Sequence, residues 1–165
     1  MTLNDLNELD EKAFVAFCSD LLEHCDWVLP VLAGRRPFSS IPEMQTQLRQ
    51  LLIEAPFELQ KVALCQHPKL GVSLAQPGFS SSEQRQAGLS DLSADEMALF
   101  AQLNKAYEDK MGFPFVVAVS GKNKEQILQL MRQRLDHAME EEWPIALREL
   151  ITIACLRVEK LVESS

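Results

Sequence analysis

A serine stands three residues ahead of a glutamate at three places in this chain: Ser40 and Glu43, Ser80 and Glu83, Ser93 and Glu96. That pairing starts a helix. The serine side chain can accept from a free backbone N–H of the first turn, and the glutamate can reach back to the serine N–H. Met44, Leu48, Leu51 and Leu52 follow the first pair, and Met97, Phe100, Leu103 and Tyr107 follow the third. Apolar residues three and four apart line one face of a helix, so these segments must bury that face against something.

The rest of the chain has the same character. Asp10 is placed to cap a first helix with Phe14, Phe17, Cys18, Leu21 and Leu22 on its apolar side. A short segment from Trp27 to Leu32 leads into a turn at Gly34 to Pro37, and Glu58 to Gln66 reads as helix. Gly88 is suited to end the helix opened by Ser80. Asn123 or Lys124 begins a helix bearing Ile127, Leu128, Met131 and Leu135, and the last helix runs from about Glu140 to Val162, with Pro144 tolerated in its first turns. The expectation is an all-α fold: one domain over residues 1–165, a bundle of about eight helices.

One segment differs. Phe113 to Val119 is apolar and β-branched between Gly112 and Gly121, which favours an extended chain. No second segment offers itself as a sheet partner. Its backbone groups must therefore be satisfied by the surrounding protein or by a ligand. It is either a buried connector packed through Phe113 and Phe115, or part of a binding site.

Composition narrows the partners. The 165 residues include 16 Lys and Arg against 24 Asp and Glu, a formal charge of −8. Nucleic acid and anionic membrane both call for a basic surface, so neither is expected as a partner. No apolar run approaches the roughly 20 residues of a membrane span. The start, Met1-Thr2-Leu3-Asn4-Asp5, lacks the basic and apolar stretches of a signal peptide. Cys18, Cys25, Cys65 and Cys155 form no CxxC pair, and most lie in apolar helical patterns, as reduced cytoplasmic thiols do. His24, His67 and His137 are far apart, so no metal site is expected.

Three side chains could carry chemistry. His67 precedes Pro68 in the run His67-Pro68-Lys69-Leu70-Gly71, directly after a helical stretch. A residue before proline is pushed out of helical geometry, so His67 belongs at a helix end beside a rigid neighbour. A fixed imidazole can serve as acid or base near neutral pH, or merely fill a turn. Arg157 lies in the apolar stripe Ala146, Leu150, Ile153, Arg157 and Leu161, with Leu147, Ile151, Ala154 and Val158 beside it. A guanidinium there must snorkel, pair with a carboxylate, or face a pocket for an anion. Glu83 either completes its capping box or points into a cleft. Together the three fit acid–base or electrostatic chemistry on a small anionic substrate, with no glycine-rich phosphate loop in the chain.

Four motifs occur in order over nearly the whole chain: His67-Pro68-Lys69-Leu70-Gly71; Ser80 to Gln84 with Ala87-Gly88-Leu89; Gly112 to Ala118; and Ile153-Ala154-Cys155-Leu156-Arg157-Val158. With Glu23 to Trp27 and Arg36-Pro37-Phe38, they resemble the 2-oxo-4-hydroxy-4-carboxy-5-ureidoimidazoline (OHCU) decarboxylases. Lys69 stands where that family commonly has arginine, and Cys25-Asp26 precedes Trp27 where Ser-Pro is usual. The resemblance implies an all-helical, cofactor-free, usually dimeric enzyme of urate degradation that releases CO2 and forms (S)-allantoin. It implies His67, Glu83 and Arg157 as catalytic residues. It also implies that Pro68, Ser80, Ser81, Ser82, Glu83, Gln84, Phe115, Val116, Val117, Ala118, Val119 and Arg157 bind the substrate. Two other readings stay open: a cofactor-free lyase or hydrolase for another ureido or imidazolone compound, and a non-catalytic helical interaction module.

Overall fold

The structure, a computed structural model, describes residues 1–72 and 78–163. Among these, nine α-helices and a 3-10 turn at Ser19–Leu21 account for the regular structure, and no strand forms. Thr2 and Glu163 make an isolated parallel bridge. Among the described residues, no helix is long and apolar enough to cross a membrane. The chain divides into two compact units, Met1–Gln66 with Leu150–Ser165, and His67–Glu149.

The first unit holds α1 (Leu3–Glu8), α2 (Glu11–Phe17), α3 (Val28–Ala33), α4 (Ile41–Glu54), α5 (Phe57–Cys65) and the end of α9 (Met139–Leu161). The apolar spacing of the sequence does not announce α1. A reciprocal capping box between Thr2 and Asp5 starts it. The Arg36 guanidinium then takes up carbonyls at its far end, donating to Leu6 at 3.0 Å and to Leu9, and lies 4.6 Å over the Phe14 ring. Six residues are too few for a helix to persist by itself, so this long-range cap supplies what local propensity lacks. Asp10 does cap α2, accepting from Ala13 N–H, but α2 stops at Phe17 and the 3-10 turn carries the apolar pattern on to Leu21. At α4 the serine cap is also real, although Glu43 reaches back to Ser39 N–H one residue earlier than expected. α3 packs against both α2 and α4.

The second unit holds α6 (Phe79–Gln86), α7 (Ala94–Met111), α8 (Lys124–Leu135) and the start of α9. The Ser93–Glu96 capping box forms as read, and Asn123 with Gln126 makes another at α8. The Ser80 box does not form the helix start. α6 begins at Phe79 with Gly78 in the cap position, because the serine lies inside the first turn. Gly88 ends this helix as expected: at φ +82° it closes a Schellman turn, with Leu89 N–H on the Gln84 carbonyl and Gly88 N–H on that of Arg85. Residues 114–119 are neither helix nor strand.

The four cysteines form no disulfide: Cys18 and Cys25 are buried, Cys155 half-buried and Cys65 exposed. Burial pushes the first two up to about 12.

Candidate active site

The turn His67 to Gly71 is fastened from two helices of its own unit. Gln84 on α6 accepts from Gly71 N–H at 3.1 Å and donates to the Lys69 carbonyl at 3.2 Å. Asn104 on α7 donates to the Leu70 carbonyl at 2.8 Å, and one turn further along α7 Glu108 pairs with Lys69 Nζ at 2.8 Å. Gly71 adopts φ +70°, and a Cβ there would lie 2.9 Å from Phe100 Cβ and Cγ. Only glycine meets both conditions at low cost. His67 itself is buried, 8% exposed. The sequence places it just after α5, whose C-cap is Gln66, as the following proline required. The backbone of the turn is therefore held from Lys69 to Gly71 by α6 and α7.

α6 presents the expected group unevenly. Ser81 and Gln84 are buried, Ser80 and Glu83 half-buried, and Ser82 exposed. Gln84, expected to bind substrate, commits both ends of its amide to the His67 turn. Ser82 points to solvent, about a half-turn of helix away from Ser80 and Gln84. Glu83 is the fifth residue of α6, beyond the place of a capping-box glutamate, because the helix starts at Phe79.

Phe113 to Val119 is buried throughout. Tyr107 meets Phe113 and Phe115 edge-on, with centroids 5.9 and 5.3 Å apart, and Trp143 meets Phe113 at 5.2 Å. This is the packing a connector would have. Behind it lies a polar network that the sequence reading did not single out. Arg134 donates through Nη1 to the Val116 carbonyl at 2.5 Å and through Nε to Glu142 Oε1 at 2.8 Å, while its guanidinium stacks 4.4 Å over the Phe115 ring. Tyr107 donates to the same Glu142 oxygen at 2.5 Å, and His137 Nδ1 lies 2.9 Å from Oε2. Glu142 is completely buried and Arg134 is 6% exposed. Burial, then the bond to Glu142, holds the Tyr107 phenol well above its usual range. The periodicity contained a signal for both charges. Arg134 follows Ile127 and Met131 at seven and three residues, and Glu142 precedes Ala146 by one turn of the same stripe that carries Arg157. Both were masked by their surroundings, since basic residues close a helix and acidic residues open one for reasons of dipole alone.

Arg157 belongs to the other unit. Its side chain is fully buried and does not snorkel. Nη1 donates to Glu23 Oε2 at 3.0 Å and to the Leu21 carbonyl at 3.2 Å. Of the alternatives left open by the sequence, the internal ion pair is present, and Glu23 is its carboxylate. Ala146, Leu150 and Ile153 of the same stripe are buried with it. Among the described residues, no three His, Cys, Asp or Glu side chains gather as a metal ion would require.

Residues 7–159 match the sequence model of the family described as OHCU decarboxylase. A 2-oxo-4-hydroxy-4-carboxy-5-ureidoimidazoline decarboxylase of Haloferax volcanii is 36% identical over 99% of this chain and 98% of its own. One of Mus musculus is 30% identical over 98% of this chain and 93% of its own. A uric acid degradation bifunctional protein of Bacillus subtilis is 34% identical over 98% of this chain, matched by 33% of that longer protein. The fold is also that of two crystal structures. One, of (S)-allantoin synthase, has a TM-score of 0.81 at 24% identity, over 99% of this chain and 54% of that one. The other, of OHCU decarboxylase in the presence of (S)-allantoin, has a TM-score of 0.72 at 21% identity, over 93% and 98%. The expected resemblance thus extends over the whole folded chain, and the protein belongs to the OHCU decarboxylase family.

Proposed function

We propose that this protein is a carboxy-lyase that converts OHCU to (S)-allantoin and CO2, the last step from urate to allantoin in purine breakdown. Family membership over residues 7–159 carries this reading, and the immobilised His67 turn agrees with it. The bond that breaks joins the carboxylate to the carbon that also bears the hydroxyl. Its electron pair enters the ring, where the neighbouring carbon–nitrogen double bond accepts it and the nitrogen takes up a proton. The hydroxyl proton then leaves as that carbon becomes a carbonyl, and a proton arrives on one face of the carbon bearing the ureido group. The substrate is its own electron sink, so the reaction calls for no cofactor.

In this proposal His67 is the acid–base group that serves the reacting carbons. Glu83 accepts from the hydroxyl or ureido donors, and Arg157 holds an anionic or carbonyl oxygen through its guanidinium. Pro68, Ser80 and Ser81 border the substrate, and residues 115–119 offer backbone groups to its ring. Gln84 contributes by holding the turn. The chain works as one domain, in the cytoplasm, as a homodimer.

Freshly generated OHCU followed by circular dichroism, with and without protein, tests the function. Spontaneous decay leaves racemic allantoin, whereas the enzyme should leave the S form. His67→Asn should retain the helical far-ultraviolet spectrum and lose this acceleration by about 10²-fold or more. A folded variant with undiminished, one-handed turnover would remove His67 from the mechanism.

A further inference from the structure

The geometry points to Arg134 as a positioning residue that, with Glu142 behind it, sets the edge of the Phe113–Val119 segment turned toward substrate. Two cations hold this segment on alternate residues. Arg134 Nη1 takes the Val116 carbonyl at 2.5 Å, and Lys122 Nζ takes the Ala118 carbonyl at 2.8 Å. In an extended chain the N–H and C=O of one residue share an edge, and the next residue uses the opposite one. Tying Val116 and Ala118 to the cations therefore turns the N–H and C=O of Val117 the other way. Val117 is 3% exposed, and among the described residues no hydrogen bond takes up either group. A buried backbone donor and acceptor side by side suit a ring amide, which offers the complementary pair.

Stability alone gives little reason for this arrangement. A buried ion pair commonly gains nothing over apolar residues of similar volume. Here Arg134 also keeps Nη2 buried without a hydrogen-bond partner among the described residues. What the planar guanidinium adds is direction. It is braced by the Phe115 ring on its face and by Glu142 at Nε, so its Nη1–H points only at the Val116 carbonyl.

The inference rests on the proposed decarboxylation for its catalytic half, and two readouts keep the two separable. The double variant Arg134→Met/Glu142→Leu removes both charges and leaves neither stranded. It should unfold cooperatively at a modestly lower midpoint, because the buried Tyr107 hydroxyl and Val116 carbonyl lose their partners. Its Val117 amide should exchange hydrogen at least about tenfold faster, while α7 and α8 amides keep their protection. Its kcat on OHCU should fall by about 10²-fold with a smaller change in KM. A folded double variant with parental exchange at Val117 overturns the inference, and so does faster exchange with parental kcat. A parent enzyme that leaves OHCU decay unchanged would overturn the proposed reaction, and the exchange measurement would still decide whether Arg134 holds the segment. Should the double variant fail to fold, Tyr107→Phe weakens only the grip on Glu142. It should show the same pattern at about threefold, and no change in either readout would again overturn the inference.

Discussion

Arg157 and Arg134 are two guanidiniums withdrawn from water, one in each unit, and they are held differently. Arg157 pairs with Glu23, whose side chain is 20% exposed, and with the carbonyl of Leu21. Arg134 pairs with Glu142, which has no exposure at all, and that one carboxylate also receives Tyr107 and His137. The first pair sits at the edge of water, where solvent can replace the carboxylate if it is lost. The second is sealed, so each member is hostage to the other. A buried charge pair is worth little against apolar substitutes, yet breaking it from one side is expensive. The depth of the carboxylate decides which of these limits applies.

The comparison is broken or sharpened most strongly by removing the two acids in turn. Glu142→Ala should cost about 3–5 kcal/mol in chemical denaturation, because Arg134 is left charged and sealed. Glu23→Ala should cost less, about 1–3 kcal/mol, since water can enter where the half-wet carboxylate stood. Equal losses would show that exposure of the partner does not govern the cost.

Next in size is Gly71→Ala, about 2–3 kcal/mol from the positive φ together with the contact on Phe100. This change lies in the second unit but outside its charged network. It should lower turnover by displacing the His67 turn while leaving the thermal cost of Glu142→Ala additive to its own. Strong coupling between the two would mean that turn and network move as one body.

The smallest effect is a matter of pH. Tyr107 has its folded pKa raised by burial and by Glu142, so the fold favours the protonated phenol. The stabilisation is present below the unfolded tyrosine pKa of about 10 and is lost as pH rises beyond it, because the unfolded chain then releases the proton first. Cys18 and Cys25, pushed up to about 12 by burial in the other unit, give the same sign from the thiol range of about 8.5 upward. Stability against urea should therefore decline in two stages on the alkaline side. Tyr107→Phe should flatten only the later stage and Cys25→Ala should reduce the earlier one.

How far the site could be read from the chain is seen in particular residues. Arg157 was legible because a permanent charge interrupts an otherwise apolar stripe, and the unbroken periodicity on both sides makes the interruption visible. Arg134 and Glu142 occupy the same kind of position on their helices. They went unread because each stands at a helix end where its charge already has a local explanation. α1 was missed for a related reason: the residue that completes it, Arg36, lies nearly thirty positions along the chain. The Ser80 pattern misled in the opposite direction. It satisfies the local rule for a helix start, yet α6 begins at Phe79, which puts Glu83 fifth in the helix.

By itself, the sequence determined the all-helical character, most helix starts and stops, the placement of His67 beyond a helix end and the family to which the chain belongs. These depend on spacing along the backbone and on the fixed geometry of proline, glycine and capping side chains, which act over a few residues. Only the tertiary structure decided that Gln84, Asn104 and Glu108 clamp the His67 turn, that Glu23 meets Arg157, and that Arg134 and Glu142 stand behind the extended segment. Those choices are made between residues distant in sequence. They follow from the need of each buried polar group to find a partner, and the chain has many candidates for that partner until it folds.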